Sequence, residues 1–111
     1  MLKWYHFIML FFGGAFVANF FPHFVEGVTG DMFPTPFANP PGQGLSSSTV
    51  NVQGLSSSTV NVLWALFNLA VGYFLLQGGK LSLPNRLTVL VAFIGFAAMA
   101  INLSVVFAGL A

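Results

Sequence analysis

Three long apolar runs constrain this chain more than any motif in it. They are "WYHFIMLFFGGAFVANFF" at residues 4–21, "TVNVLWALFNLAVGYFLLQ" at 59–77 and "NRLTVLVAFIGFAAMAINLSVVFAG" at 85–109. A helix rises ~1.5 Å per residue and needs about 20 residues to cross ~30 Å of hydrocarbon. Each run meets or approaches that length. The composition removes the soluble alternative: of 111 residues, 57% are hydrophobic and 5% charged, against roughly a quarter charged in soluble domains. Five charged side chains cannot cover a globule of this size without apolar patches larger than folded monomers tolerate. The expected fold class is therefore an all-α integral membrane protein, three transmembrane helices in one small bundle.

The expected boundaries are a helix at 4–22, a loop at 24–57, a helix at 58–77, a short loop at 78–83 and a helix at 84–109. A signal peptide competes for the first run, with Lys3 as its basic start and Gly13 and Ala15 before a cleavage site. The apolar stretch continues through Phe16, Val17, Phe20 and Phe21, which argues for a retained helix.

Charge gives the expected orientation. Lys3 precedes the first helix, Lys80 and Arg86 lie in or beside the second loop, and both acids, Glu26 and Asp31, fall in the first. By the positive-inside rule the N-terminus is cytoplasmic and the C-terminus outside, in a multi-pass protein of the cell membrane. Trp4, Tyr5 and Tyr73 suit an aromatic belt on the cytoplasmic side. Gly78 and Gly79 end the second helix, Pro84 fits the first turn of the third, and the short connection makes these two helices antiparallel neighbours.

The first loop repeats itself. "GLSSSTVNV" occurs at 44–52 and again at 54–62. Two copies are too few for a solenoid, and ten residues at ~100° each turn the second copy by ~280°, so the copies share no face. The second runs into the apolar "LWALF" and starts a helix capped by Ser56, Ser57 or Ser58; the first is read as a tandem duplication that lengthened a loop at little entropic cost. The remainder, with Pro34, Pro36, Pro40 and Pro41, is expected to be extended, with Phe33 and Phe37 as interfacial anchors or part of a solvated loop.

Polar residues inside the spans are the candidate site. Asn61, Ala65, Asn68 and Gly72 stand at i, i+4, i+7 and i+11, a ~60° stripe on the second helix. On the third, Thr88, Gly95 and Asn102 recur every seven residues; on the first, Gly14, Ala15 and Ala18 oppose Phe12, Phe16 and Phe20. Small faces let backbones approach, and asparagines bond across helix interfaces. The competing reading makes Asn19, Asn61, Asn68 and Asn102 the lining of one cavity, with His23 and Glu26 as titrating groups at its outer mouth.

Other chemistry finds little purchase. Zero cysteines remove disulfides and thiolate sites. His6 and His23 lie ~25 Å apart along a helix, so no metal site is expected, and no cofactor. "NLS" at Asn102 falls inside a helix and is no glycosylation site. A net charge of +1 implies no nucleic-acid partner, and nothing in the pattern reads as an enzyme. The expected role is a helix-packing subunit or self-associating membrane protein, partnered by the lipid bilayer and by its own copies or a larger membrane protein; the alternative is a homo-oligomeric ion or proton-coupled path.

Overall fold

A computed structural model describes residues 2–30 and 58–110. Three helices follow in order: α1, Trp4–Val28; α2, Ser58–Gly78; α3, Arg86–Leu110. Each contains a window apolar and long enough to cross a membrane, and no strand occurs among the described residues. The first repeat copy, the prolines at 34–41, Phe33, Phe37 and the cap serines Ser56 and Ser57 lie outside the described residues.

What is buried is as telling as what spans. Among the described residues the buried hydrophobics are Leu10, Ala15, Ala18 and Ala65, while the buried polar residues are His6, His23, Asn61, Asn68 and Thr88. Trp4, Phe74, Phe93, Ile101 and Val105 are all more than 60% exposed. A protein dissolved in water does the reverse. Where lipid is the solvent, burying a leucine gains little and burying an amide gains a partner.

The chain divides into two compact units, Met1–Asn19 with Asn68–Gly109, and Phe20–Phe67 with Leu110–Ala111. In the first unit α1 is the helix that the others touch. A Cβ at Gly72 would lie 2.8 Å from Val17 Cγ2 and 3.1 Å from the Gly13 carbonyl oxygen, and one at Gly79 would lie 2.9 Å from the His6 carbonyl oxygen. These contacts run antiparallel, with Gly72 against residues 13–17 and Gly79 against 6–10. On the other side of α1, a Cβ at Gly14 would strike the Ala92 carbonyl and one at Gly95 the Phe11 carbonyl. The short connection thus does not press α2 and α3 together: an apolar cleft of about 330 Å³, floored by Gly14 and Val17, lies between Leu76 of α2 and Val89, Phe93 and Phe96 of α3.

The connection itself departs from expectation at both ends. Leu81 N–H donates to the Leu76 carbonyl and Lys80 N–H to that of Gln77, the paired bonds of a Schellman turn. Its left-handed residue is Lys80, at φ 61°, whereas Gly79 is held at its position by close approach to α1. Pro84 precedes α3 instead of entering its first turn, because Asn85 takes the cap and accepts the Leu87 N–H through Oδ1 at 3.2 Å.

In the second unit α1 continues past Pro22 to Val28, beyond the boundary expected at residue 22. Proline removes one N–H and crowds the carbonyl four residues back, a fault that spanning helices tolerate when neighbouring groups compensate. Here the segment beyond it is fastened to α2: a Cβ at Gly27 would lie 2.9 Å from the Ser58 carbonyl oxygen and 3.0 Å from the Val62 nitrogen. The helix stops at Gly30, whose φ of 80° breaks the helical sense and whose N–H donates to the Gly27 carbonyl. Thr29 Oγ1 donates to the carbonyls of Val25 and Glu26, closing the last turn.

Candidate functional site

The stripe read on α2 faces inward. Asn61 and Ala65 are fully buried, Asn68 is 1% exposed and Gly72 is buried. Small residues let α1 approach, and the two amides meet partners there.

Asn19 Nδ2 donates to Asn68 Oδ1 at 2.9 Å. An amide left unsatisfied in hydrocarbon costs several kcal/mol, and this bond spends one donor of Asn19 on one acceptor of Asn68. In the second unit, His23 Nδ1–H donates to Asn61 Oδ1 at 2.9 Å. The imidazole is 3% exposed and stands edge-on to the Trp64 ring, centroids 6.5 Å apart, while Trp64 stacks on Phe67 at 5.6 Å. Since an amide oxygen only accepts, Nδ1 carries the proton.

The sequence residues therefore come together as pairs: Asn19 with Asn68, and His23 with Asn61. Asn102 joins neither. It is exposed on α3, and its side chain makes no hydrogen bond to a described residue, although Thr88 and Gly95, fourteen and seven residues before it on the same stripe, are buried. Glu26 is half-buried on the last turns of α1. Among the described residues no three His, Asp or Glu side chains gather as a metal site requires.

Two polar arrangements escaped sequence reading. His6, 6% exposed, accepts the Lys3 backbone N–H through Nδ1 at 2.8 Å. It stands at the third helical position and reaches back to the cap residue, the place a glutamate or glutamine takes in a capping box. The spacing was visible, but histidine is not the residue expected there. Thr88, fully buried, was read as a packing residue; its hydroxyl accepts the Ser82 N–H at 3.0 Å and lies 2.9 and 2.7 Å from the Ser82 and Asn85 carbonyls. It stitches the connection to the first turn of α3.

No protein family matches the chain, and no curated protein and no solved structure matches it. The class rests on the fold: three apolar spans around small and polar interior residues fit a small membrane protein.

Proposed function

We propose that this is a self-associating, helix-packing protein of the cell membrane, without catalytic activity, its N-terminus cytoplasmic and its C-terminus outside. The orientation rests on Lys3 preceding α1 and on Lys80 and Arg86 lying at the short connection between α2 and α3, which the two intervening spans put on the same side as Lys3. The observation that carries the association is Asn102. It lies in the Arg86–Val106 span, of which only 6% is buried, against 33% for the span of α1. Its amide occupies a face that is closed at Thr88 and Gly95 and open at its own position.

An amide inside a bilayer gains most from another amide. Copies inserted in one orientation and related by a two-fold axis along the membrane normal place both Asn102 side chains at one depth, each donating to and accepting from the other. An unrelated partner needs a polar group at that depth; a second copy brings one by symmetry. The pairs Asn19–Asn68 and His23–Asn61 support packing over permeation, because each commits polar atoms within the chain.

The test is the mass of the detergent-purified chain, with bound detergent subtracted. The wild type is expected as a defined oligomer and Asn102→Leu as a monomer, with Glu26→Gln unchanged. A monodisperse wild-type monomer would overturn self-association and point to a larger membrane protein as partner.

A further inference from the structure

The cleft between α2 and α3 adjoins a second groove on the outer flank of α3. The cleft is lined by Gly14, Val17 and Leu76 together with Leu83, Val89 and Phe93. The outer groove, of about 750 Å³, shares Leu83, Val89 and Phe93 and adds Arg86, Leu87 and Leu90. Val89 and Phe93, one turn apart, form a ridge with an apolar furrow on each side. The furrows end beside the connection, where Leu83 is 80% exposed.

Charge at this end is one-sided. Lys3, Lys80 and Arg86, the lysines and arginine of the chain, belong to the first unit and are exposed, whereas Glu26, the acid among the described residues, belongs to the second. Of the three, Arg86 lines the outer groove, and neither Lys3 nor Lys80 lines it or the cleft. Its guanidinium presents a planar fork that matches phosphate. At the expected level of the headgroups it stands at the head of two furrows suited to hydrocarbon.

From this we infer that the first unit binds one anionic diacyl phospholipid, its phosphate on Arg86 and its two acyl chains straddling the Val89–Phe93 ridge, one in the α2–α3 cleft and one in the outer groove. The occupant is lipid because both furrows are apolar and open sideways, and anionic because no carboxylate in the unit opposes the cations. The site lies on the opposite flank of α3 from Asn102, Phe93 being about 180° away around the helix, so lipid binding does not depend on self-association.

The experiment is native mass spectrometry of the full chain released from detergent containing equal amounts of phosphatidylglycerol and phosphatidylcholine. One phosphatidylglycerol per chain is expected to be retained in preference. Arg86→Gln should lower that preference about fivefold, the equivalent of one basic contact, while Lys3→Gln, which removes the same charge away from the grooves, should change it less than twofold. Ala92→Leu, which fills the cleft, should reduce retention of both lipids. Equal retention of the two lipids by the wild type would overturn the site. Equal losses in Arg86→Gln and Lys3→Gln would also overturn it, leaving only the general attraction of a basic membrane face. The charge variants decide the matter even if Ala92→Leu fails to fold.

Discussion

Gly13 and Gly14, adjacent on α1, answer to different neighbours: a Cβ on Gly13 would meet Leu76 of α2, and one on Gly14 would meet Ala92 and Phe96 of α3. One residue of helix turns the chain by ~100°, enough to give each neighbouring helix its own glycine. The costs of filling the two positions differ. At Gly13 the two nearest atoms are Leu76 Cγ and Cδ2, at 2.8 and 2.9 Å, on a side chain that can turn, with the Leu76 backbone nitrogen at 3.0 Å behind them, whereas at Gly14 all the near atoms are backbone and the carbonyl of Ala92 is struck directly. Alanine recovers roughly 0.5–1 kcal/mol of helix propensity at either site, and overpacking costs about 1–3 kcal/mol. Gly13→Ala is expected to be within about 1 kcal/mol of wild type and Gly14→Ala to lose about 2–3 kcal/mol, read from thermal unfolding in detergent.

The Asn19–Asn68 bond is open to a double-mutant cycle. Interhelical polar pairs in membranes average ~0.6 kcal/mol with a maximum near 1.7, and Asn68, at 1% exposure, belongs at the upper end. Asn68→Leu is expected to destabilise more than Asn19→Leu, and the coupling between them to be about 1 kcal/mol. A coupling indistinguishable from zero would mean that the amides contribute separately.

The inward stripe of α2 was legible because Asn61, Ala65, Asn68 and Gly72 combine helical spacing with small volume, a pattern that suits a close helix contact in lipid. Which helix comes close was not legible. Gly95 and Gly14 read as packing residues from spacing alone, but nothing in the spacing says that Gly14 lies against Ala92 of α3 and Gly95 against Phe11 of α1; the short connection argued for α2 and α3, which a cleft separates. Asn102 shared the period of Thr88 and Gly95 and so read as interior. Periodicity gives the face of a helix, and the depth to which a neighbour covers that face is set by how the helices cross. The continuation through Pro22 turned on His23 and Gly27 finding α2, a contact made at long range in sequence.

Lys80 occupies the left-handed position that glycine usually fills. A side chain there costs roughly 1 kcal/mol relative to glycine, while the glycine one residue earlier, Gly79, leaves room for the backbone of α1. Lys80→Gly is expected to be more stable than Lys80→Ala by about 1 kcal/mol in thermal unfolding. Both variants remove the same charge, so the difference reports the backbone alone. Equal stability would mean that the Schellman turn does not persist.

Thr88 holds the connection through its hydroxyl, and valine keeps its shape without its bonds. Thr88→Val leaves the Ser82 N–H without its acceptor and removes the hydroxyl proton shared with the Ser82 and Asn85 carbonyls, which keep the Asn85 and Thr88 backbone N–H groups. Such losses at a buried group cost about 1–3 kcal/mol. Thr88→Ser keeps the hydroxyl and is expected to lose less than half as much. The order Val below Ser below wild type in unfolding temperature checks this; reversal would show that packing outweighs the bonds.

The two buried histidines are expected to respond differently to acid, because one accepts and the other donates. His6 takes the Lys3 N–H on Nδ1, so protonating that nitrogen destroys the acceptor and opens the cap. His23 already donates from Nδ1 to Asn61, so its bond persists in either charge state. The contribution of the His6 cap is therefore present while the ring is neutral and is lost as pH falls through its titration. Hydrogen exchange at the Lys3 amide, corrected for its intrinsic pH dependence, should quicken about fivefold across that step, the equivalent of one net hydrogen bond. His6→Gln, which keeps an acceptor without a titrating group, should abolish the step. Retention of the step in His6→Gln would assign it to another group and remove the histidine from the cap.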